Sequence, residues 1–424
     1  MVILERLLSK ARDVFATFPD ERTGDVKSSM ADIAMSALAP FVMQSDWFLD
    51  EQRRREKMQL GANSKTLFGI NAIPTNAQIR EVLDLVPPSA LQPCFDAVLA
   101  ELQAKDGLSA FQRLDGRTPI ALNGTEYFCS EKTKCNHGFT RKRSNGRTEH
   151  YHAMLTAAIV APGHTMTVPL MPEFIGKQDG AENEDRERNA AGRWLATHGE
   201  RLRHVRPIYL GDVAFACHPI CEAVLKNGGD FLFTANPASH VALYDFIRDM
   251  PSEEMSLSRN IGGKKRIHHY RWLEAAPLLD GETALTVNWL NLTISDTEGR
   301  KTYSCDFLTS LDVNAQNVAE IADCARVRWK IENDGINVFK NNGHHLEQDF
   351  GHGKKHLATV FAAMNMLAFA MHTLCDCLEH LWIKARNTLG KRKRLFEQIR
   401  VITDILVFPS WWDLMTTITS GYRP

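Results

Sequence analysis

The residues best placed to do chemistry are an amide and two carboxylates at the ends of apolar segments. "PIALNGTEYF" (Pro119 to Phe128) reads as a strand leaving a core, and its first polar side chain is Asn123. "VRPIYLG" is a second apolar run and ends on Asp212. A charge at the mouth of a buried strand costs desolvation free energy unless it is paired or holds a metal. The competing reading of Asp212 is a helix N-cap, because a helical segment follows. Glu332 lies in "RVRWKIEN" on a helical segment, with Arg328 four residues earlier on the same face. An ion pair at the surface would contribute little. The neighbouring Ala325, Ile331, Ile336 and Phe339 are apolar, however, which puts the carboxylate at a packed boundary beside a guanidinium. Two adjacent parallel strands and a nearby helix can bring three such side chains to one point. An all-oxygen cluster of that kind suits Mg²⁺ or Mn²⁺. Two such ions about 3.5–4 Å apart are a recurrent device for phosphodiester chemistry.

The elements that would position these residues follow from texture along the chain. Residues 1–105 read as helical; Thr75 or Asn76 caps "AQIREVLDLV", and Pro87-Pro88 stops it. Residues 106–235 change to a mixed α/β pattern. "TPIALNGTEYF" is a strand, and "HYHAMLTAAIVAP" and "TMTVPLMPEF" form a pair joined at Pro162-Gly163. The acidic "DGAENEDRERNAAGRWLATHG" is a helix, followed by the strand "VRPIYLG", the helix "CHPICEAVLKNGG" and the strand "DFLFTAN". Unbroken apolar runs imply strands buried on both faces. Residues 236–313 read as a β-rich insertion carrying "KKRIHHYRWLEAAPLL", "ALTVNWLNLTISD" and "KTYSCDFLTSL". Residues 314–375 return to helix, with Glu332 and the apolar stretch Leu357 to Leu374, and residues 376–424 form a basic helical tail.

At 424 residues the chain is too long for one simple core. Its net charge of −1 gives no sign of a polyanionic partner, yet cations cluster at Arg53–Lys57, Arg141–Arg147, Gly262–Arg266 and Lys384–Arg394. Any one such run is an ordinary solvated face; four together favour a phosphate-rich partner. The odd and scattered set of nine cysteines argues for a reducing compartment. The N-terminus reads as an ordinary amphipathic helix, and the 357–374 stretch, interrupted by Asn365 and His372, reads as a buried core helix rather than a membrane span. A cytoplasmic protein with no membrane partner is expected. Cys129, Cys135 and His137 have a looser spacing than structural zinc sites use, and "HHLEQDFGHGKKH" lacks the H-E-x-x-H spacing of a zinc protease. Trp194 and Trp329 are read as core residues.

Taken in order, these segments resemble the DDE-type transposases of bacterial insertion sequences. "LNGTEYF" is similar to their L-D-G-T-x-Y-F, "YLGDVAFACHPIC" to their second-acid segment, and "RWKIENDGINVFKNNGHHLEQDFGHGKKHL" to the segment around their last acid. "IPTNAQIR" and "DGAENEDRERNAAGRWL" also resemble family segments, so the likeness runs from about Leu60 to Met371. The resemblance implies an α/β fold: a ribonuclease-H-like mixed sheet flanked by helices, with an N-terminal helical DNA-binding region and a β-rich insertion before the last acid. It implies a catalytic set of Asn123, Asp212, Glu332 and Arg328, with positions 123, 212 and 332 holding two Mg²⁺ or Mn²⁺ ions. It further implies cleavage of double-stranded DNA at element ends, strand transfer to a target, a homodimer in the synaptic complex, and nucleoid association in a bacterial cytoplasm. The expected DNA contacts are Arg141, Lys142, Arg143, Lys264, Lys265, Arg266, Lys340, His345, Lys354 and Lys355.

The chain departs from the family at telling positions. In the subgroup signature Y-x2-R-x3-E-x6-K, Arg328 and Glu332 fit, whereas Ala325 replaces Tyr and Phe339 replaces Lys, with Lys340 one place on. Asn123 stands where the family has its first catalytic Asp. It keeps one carbonyl oxygen and loses the charge that a bridge between two dications needs. Glu126 and Asp115 are the nearest acids, but strand alternation turns Glu126 to the opposite face and Asp115 precedes the strand. An altered transposase, engineered or decayed, and a catalytically dead, sequence-specific DNA-binding derivative both remain open.

Overall fold

The computed structural model describes all residues except 24–25, 46–57, 134–137, 181–182, 282–283, 342 and 421–424. The run at Arg53–Lys57 and two of the three residues weighed for zinc, Cys135 and His137, lie outside the described residues.

The apolar runs become one large mixed sheet of eleven strands. Its main path is β2 (Phe139–Lys142), β3 (Thr148–Ile159), β1 (Thr118–Ser130), β6 (Pro207–Gly211), β7 (Asp230–Ala235), β11 (Lys301–Thr309), β10 (Thr286–Ser295), β9 (Lys264–Pro277) and β8 (Glu253–Ile261). The short strands β4 (Val168–Pro169) and β5 (Glu173–Ile175) pair with β3. β1 runs antiparallel to β3 and parallel to β6, and β6 is parallel to β7. The fold is thus α/β: a mixed sheet flanked by helices.

Alternation of side chains sends successive residues of the central strands into two different cores. Ile120 and Leu122 of β1 join Tyr209, Phe231 and Phe233 on one face, where the Asn183–Leu202 and His218–Lys226 helices pack. Ala121 joins Ile208, Leu210 and Leu232 on the other face. There the Val318–Arg326 helix covers the sheet with Val318, Ile321, Ala322 and Ala325. Each large apolar side chain sealed in this way contributes roughly 1.5–3 kcal/mol, which is why strands buried on both faces read as unbroken apolar runs.

The strands of the β-rich stretch at 236–313 extend the core sheet, since β11 pairs antiparallel with β7, and a helix, Val241–Asp249, precedes them. Its outermost strand, β8, alternates exposed residues with half-buried Met255, Leu257 and Arg259 and was not evident from hydropathy. The β8–β9 turn is Gly262-Gly263, both at positive φ, the two-residue geometry that the twist of a hairpin favours.

The Leu357–Leu378 helix is long and apolar enough to cross a membrane by length and composition, and 89% of its most apolar window is buried inside the protein. It packs against the Ile3–Phe15, Met30–Val42, Gln92–Ala104 and His380–Leu389 helices, so the N-terminal and C-terminal helices share one core around it. A helix apolar on every side is buried on every side. Its N-terminus is held by Asp84, whose carboxylate accepts the backbone N–H groups of Lys354, Lys355, His356 and Leu357 at 2.8–3.0 Å. Thr75, not Asn76, caps the Asn76–Leu83 helix, with Gln78 closing the reciprocal hydrogen bonds.

Candidate functional site

Asn123 lies within β1, and Asp212 is the first residue after its parallel neighbour β6. The β1–β6 register pairs Ile120 with Tyr209 and Ala121 with Leu210; continued by two residues, it sets Asn123 opposite Asp212. Asn123 follows Ala121 by two positions and Asp212 follows Leu210 by two, so alternation turns both toward the face covered by the Val318–Arg326 helix. Each is partly exposed: Asn123 lies in mid-strand, where β1 has run past the last residue paired with β6 but continues beside β3 to Ser130, and Asp212 directly follows β6.

Local sequence explains these positions. Gly211 lets the chain turn sharply after β6, since a Cβ there would lie 2.8 Å from Phe215 and 3.0 Å from Phe233. Asp212 then closes a turn by accepting the Ala214 N–H at 3.0 Å on Oδ1. It does not cap the following helix, which begins at His218 with Cys217 as its N-cap. Asn123 Nδ2 donates to the Gly124 carbonyl at 2.8 Å, and Thr156 Oγ1 donates to the Asn123 carbonyl at 2.9 Å. On the opposite face the absent side chain of Gly124 leaves room for the Glu187 carboxyl.

Glu332 arrives from above the same face. Past Arg326 the helix loosens into a π-helical segment, Ile331–Ile336, before resuming at Asn337–Asn341. Ile331 belongs to the core on that face, and the π segment lies against β1 and β3. Gly335 faces Thr167, with 3.2 Å between its Cβ position and Oγ1. One-turn π segments are rare and occur often at functional sites. Arg328 Nη1 donates to Glu332 Oε1 at 2.6 Å, and Lys330 pairs with Asp334 at 3.0 Å. The expected packed boundary for Glu332 is corrected: its side chain is 45% exposed, although Ala325, Ile331 and Phe339 beside it are buried. Trp329, expected in the core, is also exposed, just before the π segment, whereas Trp194 is buried.

The donor set does not fit a pair of divalent ions. Two carboxylates and an amide fall one charge short of a bridged pair. Glu332 is engaged by a guanidinium, and no group of three acids, histidines or cysteines is arranged around a common point among the described residues. Neither the acid nearest Asn123 on β1 nor the one that precedes the strand makes up the deficit. Glu126 faces the other way and pairs with Arg141, and Asp115 lies at the opposite end of β1, where its carbonyl accepts from Arg206.

The cations considered for DNA fall into distinct settings. Arg141 is held between Glu126 and Glu149 and lies over the Tyr151 ring, its pKa raised by the Glu126 hydrogen bond; Arg143 also pairs with Glu149. Those two are neutralised locally on or beside an edge strand rather than free on a loop, while Lys142 is exposed. Lys264 and Lys265 are exposed at the β8–β9 tip, with Arg266 half-buried beside them. Lys340 pairs with Glu347 at 2.7 Å. Lys354 and Lys355 expose their side chains while their backbone is tied to Asp84, and His345 lines a cleft beside the Asn337–Asn341 turn. Cys129 is exposed, and its Sγ donates to Glu149. The sequence reading gave no role to a buried network beside that cleft, in which His344 bonds Gln44 and Asn365 with Arg392 against it; Gln44 and Arg392 reach the cleft wall.

No protein-family model matches the sequence, and no curated protein matches it. Among solved structures, the cryo-EM structure of the piggyBac transposase synaptic complex with hairpin DNA aligns with a TM-score of 0.40 at 10% identity, covering 99% of this chain and 77% of that one. Likeness at that level carries no argument about activity, and the architecture rests on the strand register above.

Proposed function

We propose that the chain is a DDE-type transposase, of the kind its motifs resemble, whose active site has lost one carboxylate. The observation that supports the reading is the parallel β1–β6 register, which, continued two residues past Ala121 and Leu210, sets Asn123 opposite Asp212 on the face against which the π segment carrying Glu332 packs. Three oxygen-bearing positions from sequence-distant elements on one sheet face are what a divalent-cation phosphodiester site requires. With an Asp at position 123 the set would offer three carboxylates to Mg²⁺ or Mn²⁺, the usual pair for such chemistry being two ions; as the chain stands, Asn123 leaves the pair poorly held. When bound, such ions supply charge stabilisation for phosphodiester cleavage. The chain's own contributions are to orient Glu332 through Arg328 and to hold Asp212 by the Ala214 N–H. Double-stranded DNA is the proposed partner, as element ends and as target, in a homodimeric complex inside a bacterial cytoplasm.

A second reading, a DNA-binding protein derived from such an enzyme and devoid of catalysis, is favoured by Asn123 itself and by its amide being engaged with Gly124. The two separate on DNA carrying the sequences that flank the coding region. With Mg²⁺ or Mn²⁺, the Asn123→Asp variant should cut and join these ends while the Asn123 chain should not. Binding without cutting by either form would leave the second reading. Cutting without joined product would mark a nuclease.

A further inference from the structure

The C-terminal tail folds back toward the segment that carries Glu332, and a cleft of about 730 Å³ lies between them. One wall comes from Asp334, Val338 and Asn341, within two turns of Glu332; the other comes from the start of the Arg392–Ile405 helix. Five Lys or Arg side chains line it against two carboxylates. Asp334 is already paired with Lys330 at 3.0 Å, and Glu397 lies 3.9 Å from Lys393.

The start of the Arg392–Ile405 helix breaks a local rule. Helix N-termini carry partial positive charge and favour acids. Here Lys391 is the N-cap without a side-chain cap bond, Arg392, Lys393 and Arg394 fill the first turn, and no acid is present there. Four cations on the positive end of a helix dipole repel it and each other. Such a conflict marks a functional site when an external partner resolves it. Free N–H groups at a helix start, ringed by cations, are a ready seat for a phosphate oxygen.

A second, independent observation is Arg392. Its guanidinium is largely buried on Phe369 and Phe396, its Nη1 is 3.9 Å from Asp376, and its Nη2 is 3.3 Å from His344 Nε2. Its Nε is sealed off inside the protein, and the part of its side chain that remains exposed, 13%, lies on the cleft wall and adds its charge to those of Lys391 and Lys393.

We infer that this cleft seats the sugar–phosphate backbone of duplex DNA and leads a strand toward the face bearing Asn123, Asp212 and Glu332. The inference rests on the DNA-transacting reading above. The cleft is too large for a single phosphate, and the Arg392 guanidinium covers the two phenyl rings on which a base would stack. That leaves the backbone as its ligand.

The test measures binding of the full chain to a fluorescein-labelled duplex by anisotropy across a salt series. Lys391→Gln/Lys393→Gln is compared with Lys264→Gln/Lys265→Gln at the β8–β9 tip. Lys391 and Lys393 are exposed, so the fold should tolerate the change, and thermal unfolding verifies it. Losing two phosphate contacts should lower the slope of log K against log salt by about 1.8 and weaken binding between about tenfold and about a hundredfold near ~0.1 M salt. An unchanged slope with normal binding overturns the cleft assignment and leaves the DNA reading standing. Absence of duplex binding by the unaltered chain overturns both. Stabilisation of the unaltered chain by inorganic phosphate, lost in the 391/393 variant without any change in slope, marks a small-anion site and also overturns the backbone assignment.

Discussion

A carboxylate introduced at position 123 probes the strand geometry without needing a DNA substrate. Asn123 and Asp212 stand opposite one another when the β1–β6 register is continued, so Asn123→Asp sets two acids with their Cβ atoms about 5 Å apart. At that separation Coulomb's law gives about 3 kcal/mol of repulsion for an effective dielectric of ~20 and about 0.8 kcal/mol in bulk water. Both positions are partly exposed, so the variant should be about 1–2 kcal/mol less stable than the native chain in chelator. A cation that binds only the folded site restores RT ln(1 + [L]/Kd), about 2.7 kcal/mol at a hundredfold excess over Kd. Urea unfolding followed by tryptophan fluorescence, in chelator and with Mg²⁺ or Mn²⁺, reads both effects as shifts in midpoint. The native chain should respond far less to the cation, and Asn123→Asp/Asp212→Asn should lose both the penalty and the rescue. If Asn123→Asp is as stable as the native chain in chelator and indifferent to either cation, the two positions do not face each other and the site as described is wrong.

Two further outcomes follow from the surrounding structure. Burial by itself would raise the Asp84 pKa, but the N–H donors of residues 354–357 outweigh it and hold the carboxyl below its usual range. Asp84→Ala should therefore cost about 1–2 kcal/mol near neutral pH. Because the folded-state pKa is depressed, that difference is present above the unfolded value near ~4 and fades as pH falls through the folded value, as urea midpoints of both proteins across pH will show. His198 has its pKa pushed down to about 4, first by burial and then by the Arg201 charge. It folds neutral, so stability is complete above about pH 6.5 and declines toward pH 4 as the unfolded chain takes up the proton, by up to about 3 kcal/mol. His198→Gln should flatten that part of the acid-denaturation profile, and an unchanged profile would show that His198 is solvated.

The sequence by itself determined the parts whose cause is local. Apolar runs bounded by turn residues announced β3, β6, β7 and the first half of β1, because a strand sealed on both faces has no room for polar side chains, while β9 to β11, partly exposed, were announced by β-branched and aromatic residues between turn signals. The Leu357–Leu378 core helix and the Thr75 cap were legible for equally local reasons, as was Asp212 at the exit of β6; Asn123, expected at a strand exit, instead lies within β1, which β3 pairs as far as Ser130. Spacing alone predicted the Arg328–Glu332 pair, since four residues is one helical turn. Tertiary structure decided the rest. β2 and β8 are short or half-exposed edge strands that exist because a neighbour pairs with them. The β-rich stretch became part of the core sheet through β11 meeting β7, a contact across sequence-distant segments that no local pattern encodes. The π segment, with Ile331 in the core, Gly335 close to Thr167, and Trp329 and Glu332 exposed, departs from what regular helical periodicity predicts there. The same holds for the cationic helix start at Lys391: its charges are plain in the sequence, but only the folded chain sets them across a cleft from the Glu332 segment.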